Sequence, residues 1–231
     1  MQAVILAGGL GTRLWPLTKT VPKPMVPVGD TPYLEHQLRL LREQSITDIV
    51  LLIGYLGEQI QTHFGNGSQF GLSIRYSCET TPMGTGGALR EASDLLDDMF
   101  LVIYGDSYLP IAYGDVLHTL RQSSADGVVT VYDNDQDDTG VTNNIALDSN
   151  HLITKYVKDD PHDPDLKYVE AGVLALRKNI VLEIPQGKVS LEQKIFPQLI
   201  AAEKLLGFPT KQRFFDIGTP ERLDRIAHLF A

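Results

Sequence analysis

A short apolar run, Val4-Ile5-Leu6-Ala7, breaks at once on Gly8-Gly9-Leu10-Gly11, and this junction constrains the fold more than any other stretch of the chain. An apolar, β-branched run without polar alternation fits a strand buried on both faces, as in parallel sheets covered by helices. Glycines directly after such a strand let the backbone turn sharply and aim N–H groups at a bound anion. The same alternation continues downstream. Thr31-Pro32 reads as an N-cap with Pro at the first helical position, followed by an apolar stripe at Leu34, Leu38 and Leu41. Ile49–Ile53 is a second buried strand, and Glu58–Phe64 a short helix ended by Gly65. Leu72–Tyr76 reads as a strand, Gly87–Leu96 as a helix, and Phe100–Tyr104 as a strand. Strands alternating with helices predict βαβ units and a mostly parallel sheet.

Beyond Gly105 the pattern loosens. Val128–Tyr132 is a strand and Asp133–Asp138 an exposed acidic loop, followed by short strands at Asn144–Leu147, Ile153–Val157 and Val169–Leu176. Ser190-Leu191-Glu192-Gln193 has capping-box spacing, with a helix expected to about Lys204. Thr219-Pro220 opens a last helix whose core stripe is Leu223, Ile226, Ala227 and Phe230. No linker, repeat or low-complexity tract divides the 231 residues, so one α/β domain is expected across 1–231. Its first half, to about 110, carries the glycine loop, and its second half, about 111–231, supplies a substrate lobe.

Composition narrows the partners. Twenty Lys and Arg against 29 Asp and Glu leave a formal net charge of −9, which argues against nucleic acid or an anionic membrane surface. A single cysteine, Cys78, excludes an intrachain disulfide framework and a cysteine-cluster metal site. No apolar run approaches the ~18 residues of a membrane span, and the N-terminal run lacks the leading positive charge of a signal peptide. A cytoplasmic protein, monomeric or a small homo-oligomer, is expected. His36, His63, His118, His151, His162 and His228 are scattered without ligand spacing, and Trp15 fits either a residue pinning the loop to the core or one packing on a ligand, with neither role assigned.

The glycine loop continues through Thr12-Arg13-Leu14 and Pro16-Leu17-Thr18 to Pro22-Lys23-Pro24, adding two cations to an acidic protein. Two familiar phosphate loops do not fit. A Walker A loop needs Gly-Lys-Ser/Thr, whereas Gly11 precedes Thr12-Arg13. A dinucleotide fingerprint needs a third glycine where Leu14 stands, and a loop opening straight into a helix, which Pro16 opposes. Taken alone, the glycines fit a turn chosen for packing as well as a phosphate cradle. The whole run from Leu6 to Pro24 resembles the signature of the sugar-1-phosphate nucleotidyltransferases, the enzymes that make nucleoside-diphosphate sugars. The resemblance extends to Phe215-Asp216-Ile217-Gly218-Thr219-Pro220 near the end of the chain.

That resemblance implies a Rossmann-like, mixed but mostly parallel sheet flanked by helices, the nucleotidyltransferase fold, which is glycosyltransferase-A-like. It implies that Leu6, Ala7, Gly8, Gly9, Gly11 and Thr12 wrap a nucleoside triphosphate. Arg13 would stabilise the leaving pyrophosphate, and Lys23 would touch the phosphates at the reaction centre. Glu79 through Ala88, with Gly84-Thr85 nearest the base, would hold the nucleobase and ribose. A carboxylate at Glu79 suits the N1–H and N2 amino donors of guanine, although a solvated Glu79 is the other reading. Gly105-Asp106 follows a buried strand, and the resemblance makes Asp106 and Asp216 the ligands of Mg²⁺. On the sugar side it implies Gly105, Lys158, Glu170 and Gly172. Lys158 would hold the 1-phosphate of the sugar, but Val157 and Asp159 replace the Glu and Pro that usually flank that lysine. Glu170 stands where Asn is common and is a candidate for hydroxyl recognition, a solvent-facing Glu being the alternative.

The pattern is closest to short guanylyltransferases acting on mannose- or heptose-type 1-phosphates. The alternatives are a UTP-dependent enzyme for N-acetylmuramate or glucose-type 1-phosphates, and a non-catalytic subunit that senses nucleotide sugars. A sensor would be expected to lack Arg13, Lys23 or a metal carboxylate, and all are present.

Overall fold

The structure is a computed structural model that describes residues 1–158, 160 and 162–230. In chain order its elements are β1 (Gln2–Leu6), β2 (Pro27–Val28), β3 (Thr31–Pro32), α1 (Tyr33–Glu43), β4 (Asp48–Ile53), α2 (Gly57–Phe64) and β5 (Ser73–Cys78). There follow α3 (Gly84–Glu91), β6 (Met99–Tyr104), β7 (Ser107–Tyr108), α4 (Tyr113–Gln122), β8 (Gly127–Asp133), β9 (Ile145–Leu147) and β10 (Ile153–Tyr156). The chain closes with β11 (Tyr168–Arg177), α5 (Lys178–Glu183), α6 (Phe196–Ala201), β12 (Leu205–Thr210), β13 (Phe215–Asp216) and α7 (Pro220–Leu229).

β1 lies between β4 and β6, parallel to both, and β5 extends the parallel set beyond β4. β11 then joins β6 antiparallel and carries β8 on its other side, with β12 parallel to β8 at the edge. The β9–β10 hairpin attaches where Tyr168 of β11 meets Ile145. The result is a mixed sheet with helices on both faces. β1 shows why its sequence is apolar without alternation: Ala3, Ile5 and Ala7 point into one core and Val4 into the other. Leu34, Leu38 and Leu41 of α1, Phe64 of α2 and Leu120 of α4 cover the first face. Leu89 of α3, Val181 of α5 and Phe196 of α6 cover the second. A third, smaller core of Val28, Tyr33, Ile217 and Ile226 seats α7 against the β2–β3 hairpin. No helix among the described residues is long and apolar enough to cross a membrane.

Three local expectations change. Thr31-Pro32 is not a helix start but a strand paired with Pro27-Val28 around Gly29, whose φ is +63°. The Tyr33 N–H donates to the Val26 carbonyl at 3.0 Å, so backbone takes the place of a side-chain cap at α1. The helix expected from Gly87 starts three residues earlier, because the Val189 carbonyl accepts from the N–H groups of Gly86 (2.9 Å) and Gly87 (3.1 Å) and closes the first turn from outside. The segment after Ser190 is a π-helical turn, Leu191–Ile195, followed by α6, and the chain has already entered β12 at Leu205. Ser190 Oγ does accept from the Gln193 N–H at 3.1 Å. Pro197 has no N–H to return to the preceding turn, which fits the widened geometry there. The structure adds α4, α5 and β12 to the expected elements. In α4 the apolar residues stand at Tyr113, Val116, Leu117 and Leu120, a legible helical period, whereas Gly207 and Pro209 disguise β12, an edge strand where Pro is tolerated.

Leu38 is fully buried in the first core, whereas Leu10 on the glycine loop is 47% exposed. Leu38→Ala is therefore expected to destabilise the protein by about 2–5 kcal/mol and Leu10→Ala by no more than about 0.5 kcal/mol, read from urea unfolding midpoints at constant slope.

Candidate active site

The chain leaves β1 toward β4 on one side and later returns to β6 on the other, so strand order reverses at β1. Open α/β sheets bind ligands at such a point, outside the carboxyl ends of the strands. A cleft of about 550 Å³ opens there. Its walls are the loop from Leu6 to Arg13, the turn at Glu79, Pro82, Gly84 and Thr85, the end of β6 at Tyr104-Gly105-Asp106, and Lys23, Lys158, Glu192 and Gly218.

The loop is held from below and open above. Ala7 donates to the Leu52 carbonyl (2.8 Å) and Gly105 to the Leu6 carbonyl (3.0 Å), which carries both parallel ladders to the sheet edge. Gly11 adopts φ +63°, and the buried Thr18 hydroxyl donates to its carbonyl at 2.8 Å. Leu14 is buried as an anchor, while Arg13 is exposed at the cleft. Trp15 is 53% exposed with Lys19 over its ring, so it does not pin the loop to the core. Lys23, buried in the 3₁₀ turn Lys23–Met25, forms an ion pair with Asp106.

Asp106 and Asp216 are brought together by a two-stranded ladder. Asp216 of β13 pairs with Ser107 of β7, and the Ile217 N–H donates to the Asp106 carbonyl at 3.0 Å. The Asp106 side chain is one-third exposed and lies on the cleft wall. Burial pushes its carboxyl up, but Lys23, and Arg13 beyond it, outweigh that and hold it below the ordinary aspartate value. Asp216 lies just behind the wall, accepting from the Gly218 N–H (2.7 Å) and from Arg222 of α7 (3.2 Å to each oxygen). Gly218 leaves room there, since a Cβ on it would stand 3.2 Å from the Arg13 guanidinium and 2.5 Å from Asp216. Two carboxylate donors beside an open cleft suit a hard divalent cation that takes its remaining oxygens from phosphate and water. No third His, Cys, Asp or Glu joins them among the described residues.

Glu79 is half-buried on the cleft wall and already holds a partner. Its Oε2 accepts from the Met83 N–H at 3.0 Å, and its carboxylate packs against the bare backbone of Gly8 and Gly54. Burial raises its pKa above the ordinary glutamate value, the Met83 N–H opposes this, and Glu91 adds to the rise. Gly84 has φ +71° and sits under the Val189 carbonyl, where a Cβ would come within 2.6 Å of that oxygen. The Thr85 hydroxyl is committed to Glu192 at 2.8 Å.

The far end of the cleft departs most from the sequence reading. Lys158 lines the cleft, but Glu170 and Gly172 lie behind its wall. Glu170 is 9% exposed and accepts from the Tyr156 hydroxyl at 2.6 Å, so it does not face solvent. Gly172 has φ +82° and packs against Ser107, beneath Asp106. Asp159 lies outside the described residues. The carboxylate that reaches the wall is Glu192, which the sequence presents only as a capping-box position. It accepts from Tyr104 (2.7 Å) on one oxygen and from Thr85 and Ser190 on the other. Burial pushes Glu192 up, yet Lys158, Ser190 and Tyr104 together hold it below the ordinary glutamate value. No local signal marks Glu192 for this place, because Gln193 and Lys194 make Leu191-Glu192-Gln193-Lys194-Ile195 an ordinary mixed turn.

Comparison with known proteins agrees with this geometry. The family described as Nucleotidyl transferase matches residues 2–230. Mannose-1-phosphate guanylyltransferase of Mycobacterium tuberculosis is 33% identical over 225 residues, covering 96% of this chain and 62% of that protein. Mannose-1-phosphate guanyltransferase of Saccharomyces cerevisiae is 31% identical over 227 residues, again 96% of this chain and 62% of the relative. The chain thus spans 62% of the length of these curated relatives. Among solved structures, HddC from Yersinia pseudotuberculosis superposes with a TM-score of 0.86 at 26% identity, over 100% of this chain and 99% of that one. The same protein complexed with GMP-PN superposes with a TM-score of 0.83. With the family match running from the first strand to the last helix, and the glycine loop, Asp106 and Asp216 gathered at one sheet edge, the chain belongs to the nucleotidyl transferase family.

Proposed function

We propose that the chain is a sugar-1-phosphate nucleotidyltransferase: it joins the nucleotidyl group of a nucleoside triphosphate to a sugar 1-phosphate and releases pyrophosphate. The observation that carries this is a single cleft with a glycine-lined, Arg13-bearing loop at one end, Lys158 at the other, and Lys23 beside Asp106 between them. The half to about residue 110 holds the nucleotide, and the half from about 111 supplies the sugar-phosphate end. GTP with a mannose- or heptose-type 1-phosphate is the preferred pair. Both the guanylyltransferases among the relatives and the GMP-PN complex of HddC support that choice.

In the reaction an oxygen of the sugar 1-phosphate attacks the α-phosphorus in line, a new P–O bond forms, and the bond to the β-phosphate breaks. Transfer of this kind needs positioning and charge neutralisation rather than a covalent nucleophile. The backbone N–H groups of the Gly8–Thr12 loop bind the triphosphate, and Arg13 meets the charge that builds on the leaving pyrophosphate. Lys23, released from Asp106, turns to the phosphates at the reaction centre, and Lys158 orients the attacking phosphate. Asp106 and Asp216 would hold Mg²⁺, which when bound offsets the repulsion between the two approaching phosphate groups.

Arg13 is exposed, so Arg13→Ala is expected to keep the wild-type melting temperature while lowering turnover by about 10²–10³ in a pyrophosphate-release assay. Turnover near wild type would remove the loop from the triphosphate. The assay is run with GTP and UTP against mannose, heptose, glucose and N-acetylmuramate 1-phosphates, and no release with any pair would favour a sensing role instead.

Asp106→Asn keeps shape and removes one charge. Nucleotide binding is expected to survive in calorimetry while metal-dependent turnover collapses, and EDTA is expected to do the same to the wild type. Activity that persists in chelator overturns the two-carboxylate scheme.

For the base, GTP is expected to outcompete UTP, and Glu79→Gln to weaken that preference by about 1–3 kcal/mol. An unchanged ratio would assign the reading to backbone groups near Gly84, the alternative favoured by the bond between Glu79 and the Met83 N–H.

A further inference from the structure

Behind Lys158 lie two carboxylates with little positive charge to balance them. Glu192, 7% exposed, has hydroxyl donors on both oxygens, from Tyr104, Thr85 and Ser190. Glu170, 9% exposed, takes the Tyr156 hydroxyl on Oε2, while its Oε1 is buried with no partner. Among the described residues neither carboxylate forms an ion pair, and Lys158 is the cation whose charge reaches both. The groups facing Glu170 are Tyr104 from β6, Tyr156 from β10, Glu192 from the π-helical turn and Lys158. Asn144 accepts the Glu170 backbone N–H at 3.0 Å. The Tyr104 hydroxyl donates to Glu192 and lies close enough to Glu170 to feel its charge, without a hydrogen bond of ordinary geometry to it. If both were ionised, two like charges would share one buried site and Oε1 would stay without a donor, a costly arrangement on both counts.

We propose that Glu170 is a positioning residue that holds a proton at neutral pH, leaving Glu192 as the one ionised carboxylate turned toward the sugar of the bound sugar 1-phosphate. This rests on the reading of the Lys158 end of the cleft as the sugar-phosphate site. With the proton on Oε1, Glu170 donates toward the Tyr104 oxygen, Tyr104 donates onward to Glu192, and Tyr156 donates into Glu170 from the other side. The chain of hydroxyls then has one direction, and the Glu192 carboxylate has one orientation. The local electrostatics run the same way: burial, then the charge of Glu192, raises Glu170 above the ordinary glutamate value, while Glu192 is held below it. Environments that separate two neighbouring carboxyls in this way assign them different protonation states. Glu170 touches no reacting atom and acts through Tyr104 and Glu192.

As pH rises through the Glu170 pKa the proton leaves, a second negative charge arises beside Glu192, and the hydroxyl chain loses its direction. The KM for the sugar 1-phosphate is therefore expected to rise with pH, by up to about tenfold per unit above that pKa, while the KM for the nucleotide stays level. Glu170→Gln keeps an acceptor for Tyr156, puts an N–H where the proton was and cannot ionise. It is expected to bind the sugar 1-phosphate as the wild type does near neutrality and to lack the rise. Glu170→Leu is expected to raise that KM about tenfold at every pH. The phosphate group itself titrates near pH ~6, but this is common to both proteins and cancels in the ratio of wild type to Glu170→Gln.

Two measurements decide the matter. The infrared difference between wild type and Glu170→Gln, without substrate, is expected to show the carbonyl stretch of a protonated carboxylic acid in the wild type alone. KM is then followed against pH for both proteins, with whichever nucleotide and sugar 1-phosphate from the panel above turn over fastest. Absence of the band, or a band retained in Glu170→Gln, overturns the proton. Superimposable KM profiles overturn the positioning role. A protein that joins no nucleotide to any sugar 1-phosphate overturns the proposed function and the positioning role together, and the infrared result still judges the proton.

Discussion

Everything at the cleft depends on how closely β1 and β6 run together at the sheet edge. The Gly105 N–H donates to the Leu6 carbonyl, and a Cβ on Gly105 would stand 2.5 Å from that same oxygen. Only glycine lets the two strands stay paired to their last residue. The loop that follows Leu6 and the carboxylate that follows Gly105 therefore leave the sheet side by side. Were the strands to diverge before Gly105, Asp106 would lose its place opposite Lys23 and the loop its floor. The apolar run in β1 serves the same end, since packing on both faces fixes the height at which the glycines emerge.

A second constraint comes from the end of the chain. α7 docks through Ile226 on a small core with Tyr33 and Val28, and Arg222 on the same helix grips both oxygens of Asp216. The last helix thus orients a residue that lies just behind the cleft wall, close to Arg13 of the glycine loop. Asp106 and Asp216, 110 positions apart in the chain, become neighbours because two short strands pair outside the main sheet. Each of these two carboxylates is matched to a cation from elsewhere, Lys23 and Arg222, so their own charge is balanced before any ligand arrives.

The cleft also joins its two ends mechanically. Thr85 opens α3 beside the base-side turn, and its hydroxyl reaches across to Glu192, which in turn holds Tyr104 at the end of β6. The Leu191 N–H donates back to the Thr85 hydroxyl at 2.8 Å. These short, part-buried bonds tie the start of α3 to the Glu192 side of the cleft.

The alternation of central strands with helices, the glycine loop with Arg13 and Lys23, and the last helix at Thr219-Pro220 were legible in the sequence because each rests on local chemistry. Apolar runs must be buried, glycine must turn, and Pro favours a first helical turn. Lys158 and Asp216 were singled out through a resemblance of motif, and Asp106 through the same resemblance together with its place just past a buried strand. Tertiary structure alone decided the rest. It turned Thr31-Pro32 into a hairpin strand, and it started α3 at Gly84 because a carbonyl from Val189 serves as its cap. It drew Glu170 behind the wall and brought Glu192 forward to it. Those outcomes depend on which backbone groups and hydroxyls meet, within one tight hairpin for Thr31-Pro32 and between distant segments for Gly86 with Val189 and Thr85 with Glu192. One-dimensional periodicity records which side chains avoid water, but not which partner a buried polar group will find.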